Sequence, residues 1–227
     1  MFCAPMSILT FAFCGTELGA LPSGALFWPA HDLLCVSDLH LGKSERIARR
    51  GGTLLPPYET AATLTRLEQA IDLTRPKTVV CLGDSFDDLA AGEALPDRDR
   101  DWLFRLQAGR EWIWIEGNHD PAPLDLAGTH MAELRLAPLT FRHIAEQGGL
   151  GEISGHYHPK AAITLRGRHI SRPCFLRSAD RVILPAFGAY TGGLKCSDPV
   201  LKGLMDASAV ALLTGPQITP LPYGKVR

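Results

Sequence analysis

The sequence has little excess charge and no long hydrophobic run. Its 23 Lys and Arg residues nearly balance 24 Asp and Glu residues, giving a formal net charge of -1. A chain that mainly coats nucleic acid is expected to be strongly basic, so any contact with nucleic acid must be confined to a local patch. No apolar run approaches the about 20 residues that a membrane-spanning helix needs, and we therefore predict no membrane partner.

Paired cysteines and a secretion signal are also missing. The six cysteines form no C-x-x-C pair and lie far apart, at positions 3, 14, 35, 81, 174 and 196. This spacing argues against a disulfide framework or a Cys-rich zinc site and predicts reduced thiols. The first 13 residues are apolar but contain no Lys or Arg before their hydrophobic stretch, so no signal peptide is expected. We predict a cytoplasmic protein.

No repeat, linker or low-complexity tract divides the chain, so a single domain over residues 1–227 is expected. The first half alternates strand and helix patterns, which predicts parallel strands. Strands are predicted at 33–37, 78–82 and 111–115, and helices at 58–74 and 98–108. Beyond residue 121 short strand-like runs dominate, the first at 132–142, so the second half is expected to be mostly β.

The third of these strands contains a pair of tryptophans. Trp112 and Trp114 share one face of the strand, and Ile113 and Ile115 share the other. Apolar residues on both faces predict a central strand that is buried on both sides. We therefore interpret the tryptophans as core residues and not as a surface on which nucleic-acid bases stack.

Four short strand-like runs each end in residue types that bind metals. The residues that follow these runs are Asp38 and His40, then Asp84, then Asn118, His119 and Asp120, and finally His156 and His158. Asn118 is the only asparagine in the chain. In open α/β sheets ligands bind at the carboxyl ends of the strands, so these side chains are expected to converge.

The convergence of these residue types predicts a binuclear metal site. Two divalent cations about 3.5–4 Å apart repel each other, and they need an anionic oxygen between them and imidazoles around them. Asp84 is the predicted bridging ligand, since Gly83 lets the backbone turn sharply at the strand end. The mixture of oxygen and nitrogen donors favours manganese, iron or zinc over calcium.

The order of the motifs adds a family resemblance. Asp38-x-His40, Gly83-Asp84-x-x-Asp87, Gly117-Asn118-His119-Asp120 and Gly155-His156-x-His158 together resemble the signature of the calcineurin-like metallophosphoesterases. The resemblance implies an α/β (α+β) fold with two packed mixed β-sheets flanked by helices. It implies one metal held by Asp38, His40, Asp84 and His158, and another held by Asp84, Asn118, His143 and His156. His143 is the lone histidine between the last two motifs, and His130 is its rival.

Longer segments resemble the bacterial ligase-associated DNA damage response endonucleases. These segments are residues 38–43, 81–86, 117–121 and 184–193. The resemblance implies a manganese-dependent phosphodiesterase, with iron or zinc as alternative metals, that cuts single-stranded or damaged DNA. It also implies a role in DNA repair, in association with a DNA ligase and a helicase. The chain departs at Asp87, where we expect that family to have His.

The resemblance also implies a reaction, which is in-line attack on phosphorus by a hydroxide that bridges the two metals. His119 would contact the scissile phosphate and protonate the leaving oxygen, with Asp120 orienting its ring. Four further residues are predicted to contact the substrate: Asp87, Lys43, Arg46 and Tyr190. A solvated helix face explains the two basic residues equally well, and a plain loop turn explains Tyr190 almost as well.

Two other functions remain open at this stage. One is hydrolysis of a small phosphoester or pyrophosphate, such as a nucleotide or a lipid precursor, which the near-neutral charge and Asp87 favour. The other is a protein-binding scaffold without enzymatic activity. A scaffold is expected to have lost metal ligands, whereas every predicted ligand position here carries a residue able to bind a metal.

Overall fold

Two β-sheets lie face to face in the computed structural model of this chain, with helices against their outer surfaces. The structure describes residues 7–52, 56, 58–120, 126–165 and 168–226. Both sheets are mixed, since each contains parallel and antiparallel neighbours. The arrangement confirms the predicted α/β fold with two packed mixed sheets flanked by helices.

The first sheet has its strands side by side in chain order. They are β1 (Leu9–Phe13), β2 (Thr16–Ala20), β3 (Leu26–Trp28), β4 (Leu33–Val36), β5 (Thr78–Leu82), β6 (Glu111–Ile115) and β7 (Thr129–Met131). Strands β4 to β7 run parallel, as predicted for the first half. The carboxyl ends of β4, β5 and β6 therefore share one edge of the sheet.

Helices connect the parallel strands. Between β4 and β5 lie α1 (Lys43–Arg49) and α2 (Glu59–Thr74), and between β5 and β6 lie α3 (Leu89–Glu93) and α4 (Asp97–Gln107). The predicted helices at 58–74 and 98–108 correspond to α2 and α4. The buried face of α2 carries Leu64, Leu67, Ala70 and Ile71, which recur at helical spacing and pack on the first sheet.

The second sheet is formed by the second half of the chain in the order β15-β14-β12-β13-β10-β9-β8, with β11 paired to β12. Its strands are β8 (Glu133–Leu136), β9 (Leu139–Arg142), β10 (Glu152–Ser154), β11 (Lys160–Leu165), β12 (Arg168–Arg177), β13 (Arg181–Ile183), β14 (Val210–Leu213) and β15 (Thr219–Pro222). The helix α5 (Pro199–Leu204) lies between β13 and β14 in the chain. The single strand predicted at 132–142 is wrong. It is an antiparallel hairpin of β8 and β9 with Pro138 in the turn, where a missing N–H costs no ladder bond.

The main core lies between the two sheets, where Trp28, Val80 and Ile113 of one meet Phe141 and Phe175 of the other. A second cluster fills the space between the first sheet and the helices, and it includes Trp112 and Trp114. Both tryptophans are buried, which confirms that they are core residues. No helix in the described ranges combines the length and the apolar character needed to cross a membrane.

Candidate metal centre

The ends of β4, β5 and β10 are joined by hydrogen bonds from backbone N–H groups at one edge of the sheet pair. After β4, the N–H of His40 donates to the carbonyl of Asp84, which follows β5, at 2.9 Å. After β10, the N–H of His156 donates to Asp38 Oδ2 at 3.0 Å. The clusters that were expected to converge therefore lie together.

The first cluster consists of Asp38, His40 and His158, whose ligand atoms lie within 4.8 Å of one another. Nε2 of His158 is 3.0 Å from Asp38 Oδ1 and 3.5 Å from His40 Nε2. Ser37 donates a 2.5 Å hydrogen bond to the other carboxylate oxygen, Asp38 Oδ2. Since Oδ2 also accepts a backbone hydrogen bond, Oδ1 is the oxygen left to bind a metal.

The second cluster consists of Asp84, His143 and His156, with Asn118 beside it. Nε2 of His143 lies 3.4 Å from Asp84 Oδ2 and 3.2 Å from His156 Nδ1. The same nitrogen lies 3.0 Å from Asn118 Oδ1. These four residues are the set that the resemblance implies for the second metal.

The structure separates His143 from its rival His130. His143 follows β9 and lies within the second cluster, where it is buried. His130 is a residue of β7, and its ring stacks on Trp114 with the centroids 6.3 Å apart. The geometry therefore favours His143 as the ligand.

Each cluster contains a histidine whose other ring nitrogen lies within hydrogen-bonding distance of an oxygen acceptor. Nδ1 of His143 is 2.8 Å from the carbonyl oxygen of Leu82, which can only accept a hydrogen bond. Nδ1 of His40 lies 2.9 Å from Asp87 Oδ1. A proton on Nδ1 of both rings leaves Nε2 with a lone pair directed into the cluster, as a metal ligand requires.

The donor atoms fit divalent metal ions. Atoms bonded to one ion at about 2.0–2.2 Å are separated from each other by roughly 3.0–3.5 Å. The separations of 3.0, 3.2 and 3.4 Å around His143 Nε2 lie in this range. Asp84 and His143 are buried and, with the exposed Asn118, turn electron-rich atoms towards one another, which is unfavourable unless a metal cation or a proton on His143 Nε2 lies among them.

Five predicted ligands have a left-handed backbone conformation. They are Asp38 (φ 54°), His40 (φ 45°), Asp84 (φ 47°), His156 (φ 68°) and His158 (φ 46°). Residues with a Cβ rarely adopt this conformation, which costs roughly 1–2 kcal/mol for each of them. Strain of this kind is maintained where the surrounding structure forces side chains into functional positions.

Two glycines permit the close approach of the segments that carry the ligands. Gly83 has a φ of 71°, and a Cβ at this position would lie 2.5 Å from His143 Nδ1. The predicted sharp turn before Asp84 is therefore present. A Cβ on Gly155 would lie 1.7 Å from Ser37 Oγ, so this glycine is needed for close contact between the ends of β4 and β10.

Three of the predicted ligands, Asp38, Asp84 and His156, favour the protonation states that bind metals. For His143, in contrast, burial lowers the pKa but Asp84 and Asp38 raise it above its ordinary value. Burial raises the pKa of Asp84, but the hydrogen bond and charge of His143 more than offset this and bring it to about 2. Burial likewise raises the pKa of Asp38, and His158 lowers it below its ordinary value. Burial lowers the pKa of His156, and the neighbouring His143 lowers it further. Ionised carboxylates and a neutral imidazole are the forms that metals require.

Asp120 supports the segment that carries Asp84. Its carboxylate accepts hydrogen bonds from the backbone N–H groups of Asp84, Ser85 and Phe86 at 2.9, 2.7 and 3.1 Å. Burial raises the pKa of Asp120 to about 6 in spite of these bonds. Nδ1 of His119 faces the carbonyl oxygen of Asp87 and not the carboxylate of Asp120, so the orientation of His119 by Asp120 stays a prediction.

His119 lies beside the first cluster. Its ring is edge-on to that of His40 with the centroids 5.3 Å apart, and its Nδ1 is 2.9 Å from the carbonyl oxygen of Asp87. Its backbone N–H donates to Asp84 Oδ1 at 2.9 Å. A hydrogen bond from Nδ1 to the carbonyl leaves Nε2 as the ring atom that can meet a substrate.

Asp87 is fully buried and contacts the predicted ligand His40. Its carboxylate contacts Nδ1 of His40, forms an ion pair with Arg46 and lies 3.8 Å from Lys43 Nζ. Burial raises the pKa of Asp87, but His40 and the two cations hold it below its ordinary value. The expectation that Asp87 contacts the substrate is therefore wrong, because its side chain is enclosed by these three groups.

The remaining predicted substrate contacts lie at the surface near the first cluster. The side chains of Lys43 and Arg46 are 17% and 20% exposed beside Asp87. Tyr190 is 49% exposed in the segment that follows β13. Their contact with a substrate stays a prediction.

Two supporting groups were missed by the sequence analysis. Ser37 directly precedes Asp38, and its hydroxyl fixes one oxygen of that carboxylate. A small polar residue next to a motif aspartate was the available signal. Leu82 acts through its main-chain carbonyl, which has no signature in the sequence.

Comparison with known proteins places these clusters in a family. The sequence matches the family model of the calcineurin-like phosphoesterases over residues 31–170, a range that contains every residue of both clusters. Among solved structures, the crystal structure of the nuclease MPE of Pseudomonas putida is similar, with 28% sequence identity and a TM-score of 0.75. That match covers 95% of this chain and 100% of the nuclease chain. A search of curated proteins found no match.

The family match, the two-sheet fold and the two Asp/His clusters agree with one another. The matched range is more than half of the 227 residues. The chain therefore belongs to the calcineurin-like phosphoesterase family and is a metal-dependent phosphoesterase.

Proposed function

We propose that the protein is an endonuclease that hydrolyses phosphodiester bonds in single-stranded or damaged DNA. The observation that carries this proposal is the similarity to a nuclease over 95% of the chain. The open form of the site supports it, because Asn118 is exposed and His119 is half-buried at the edge of the sheets. An open edge can accept a polymer that continues on both sides of the bond to be cut.

Each cluster would hold one divalent ion. Asp38, His40 and His158 would hold the first, Asn118, His143 and His156 the second, and Asp84 would contact both. Divalent ions held by these residues would supply Lewis-acid polarisation of the phosphoryl group and would lower the pKa of bound water. His119, fixed by the carbonyl of Asp87, presents Nε2 to the scissile phosphate, and its doubly protonated imidazolium form would give the Nε2 proton to the leaving oxygen and become neutral imidazole.

Finer features of the proposal rest on chemistry and on the sequence resemblance. We propose manganese as the native metal, with iron or zinc as alternatives, because carboxylate and amide oxygens occur beside imidazole nitrogens. We further propose a single-domain cytoplasmic enzyme that acts in DNA repair in association with a DNA ligase and a helicase. The residue segments 38–43, 81–86, 117–121 and 184–193 support this context.

The direct test is cleavage of a single-stranded oligonucleotide and of plasmid DNA with manganese, iron, zinc or EDTA. Wild-type protein is expected to cut with manganese and to be inactive with EDTA. His119→Gln is expected to lose about 100-fold or more in rate while it still binds two metal ions, since general acid catalysis contributes about 10²–10⁴-fold. Intact DNA under every condition, with rapid hydrolysis of a small phosphodiester, would contradict the proposal.

One observation favours a second function, hydrolysis of a small phosphoester or pyrophosphate. A cavity of about 400 Å³ beside Asn118 is bordered by Glu116, Glu133 and Glu146. Three carboxylates repel the neighbouring phosphates of a polymer, although Arg142 pairs with two of them. The ratio of kcat/KM for an oligonucleotide to that for a nucleoside diphosphate or a lipid-like phosphoester distinguishes the two functions.

A further inference from the structure

Tyr190 is an exposed aromatic residue with a strained backbone. Its side chain is 49% exposed and its φ is 57°, in the left-handed region. Single exposed apolar side chains are common on protein surfaces, so exposure alone does not indicate a role. The left-handed conformation is costly for a tyrosine, and the segment must be held in place for it to persist.

The segment 188–194 is attached to the first cluster at both ends. At one end, the N–H of Gly188 donates to the carbonyl of Asp38 at 3.0 Å. At the other, the N–H of Leu194 donates to the carbonyl of Tyr157 at 3.1 Å, directly before His158. Both ends of the segment that contains Tyr190 are thus hydrogen-bonded to the main chain of segments that carry predicted metal ligands.

Further hydrogen bonds fix the residues on either side of Tyr190. The N–H of Ala189 donates to Thr63 Oγ1 of α2 at 3.0 Å. Nζ of Lys160 donates to the carbonyl of Thr191 at 3.0 Å. Among the residues that the structure describes, the tyrosine ring itself makes no aromatic contact or hydrogen bond, so the rigid segment presents a free ring.

We infer that Tyr190 is a stacking residue that holds one base of single-stranded DNA beside the first cluster. The inference rests on the proposed nuclease function and specifies a substrate contact for it. Stacking of a base on an aromatic ring changes affinity by about tenfold or more, and it does not depend on which base is present. Because the backbone on either side of the ring is held by hydrogen bonds before binding, little backbone entropy is lost when a base packs on the ring. The buried Trp112 and Trp114 are not available for this role.

Tyr190→Gly is the variant of choice because it removes the ring and also suits a left-handed backbone. We expect it to unfold at the same temperature as wild type or higher. Tyr190→Phe is the matched control, since it retains the stacking surface and loses only the hydroxyl. A lower unfolding temperature for Tyr190→Gly would indicate a structural role and overturn the inference.

The substrates are an oligothymidylate and a matched oligonucleotide in which abasic sugars replace the bases. Tyr190→Gly is expected to raise KM for the oligothymidylate about tenfold and to leave kcat and the abasic KM unchanged. Tyr190→Phe is expected to match wild type on both. An equal rise in KM for both substrates, or no rise for either, would overturn the stacking role of Tyr190 and leave the proposed nuclease function standing. Failure of wild type to cut either oligonucleotide would instead overturn the proposed nuclease function.

Discussion

The two clusters orient their histidines in different ways. In the first, Nδ1 of His40 faces the buried carboxylate of Asp87, which in turn contacts Lys43 and Arg46. In the second, Nδ1 of His143 faces the main-chain carbonyl of Leu82. The ring of His40 therefore depends on a network of charged side chains, and the ring of His143 depends on the path of the backbone.

This difference predicts which substitutions each cluster tolerates. Removing a side chain that orients a ligand costs about 10–100-fold in metal affinity or activity. No side-chain substitution at Leu82 removes its carbonyl, so the second cluster is protected from that kind of change. It is sensitive instead to substitutions that move the backbone of β5 or fill the space beside His143.

The largest effect is expected at Asp84, because we propose that this residue belongs to both clusters. Asp84→Ala should reduce phosphodiesterase activity by roughly 1000-fold or more, because a carboxylate shared by two ions contributes several kcal/mol of charge stabilisation. Elemental analysis should find fewer than two metal ions per chain. Asp72→Ala, which removes an exposed carboxylate from α2, is the control and should leave both quantities unchanged. Equal activity of the two variants would contradict the assignment of Asp84 as a metal ligand.

The backbone dependence of the second cluster can be tested at Gly83. Gly83→Ala places a Cβ 2.5 Å from His143 Nδ1 and also strains a backbone with φ 71°. We expect a loss of about 2–5 kcal/mol in the free energy of unfolding, from about 1–2 kcal/mol of strain and about 1–3 kcal/mol of overpacking. Chemical denaturation of the metal-free protein measures this free energy.

Gly109→Ala is the matched control for this substitution. Gly109 has a φ of 73°, and a Cβ there would meet nothing within 4 Å. The control should therefore lose only about 1–2 kcal/mol in the free energy of unfolding, which is the cost of the backbone strain. Equal losses in the two variants would mean that the space beside His143 is not restricted.

The side-chain dependence of the first cluster can be tested at Asp87. Asp87→Asn keeps the size of the side chain but removes the charge that faces His40 and Arg46. Titration calorimetry with manganese should show one of two sites weakened by about 10–100-fold and the other unchanged. Asp88→Asn is the control, because Asp88 pairs with Arg49 and caps α3 without contacting a ligand. Weakening of both sites to the same extent would contradict the separation of the two networks.

The smallest effect is expected at Lys43, where the first cluster meets the surface. If Lys43 also contacts a DNA phosphate, Lys43→Met should weaken binding of single-stranded DNA a few-fold. The slope of log Kd against log salt concentration should fall by about 0.7, the value for one phosphate contact on a single strand. Lys77→Met, at the opposite end of β5, is the control. An unchanged slope would mean that Lys43 contacts Asp87 and does not contact a DNA phosphate.

Much of the site could be predicted because its ligands directly follow buried strands. The periodicity of β4, β5 and β6 and the residue types at their ends predicted both the edge of the sheet and most of the donors. The hairpin of β8 and β9 could also have been predicted, since Pro138 interrupts the apolar run.

The directions of the supporting carboxylates could not be predicted. Asp87 and Asp120 lie next to motif residues, where a role at the substrate is a natural interpretation. Their actual partners come from distant positions, since Asp87 meets Arg46 across 41 residues and Asp120 meets Ser85 across 35. Such contacts depend on how α1 and the segment after β5 pack, and local sequence patterns contain no record of that packing.

The most direct test of the two-cluster site is a crystal structure of the protein grown with manganese, with anomalous scattering used to locate the metal. We predict two manganese peaks per chain, one among Asp38, His40 and His158 and the other among Asp84, His143 and His156, with Asp84 in contact with both. A single peak, or peaks outside these residues, would contradict the assignment.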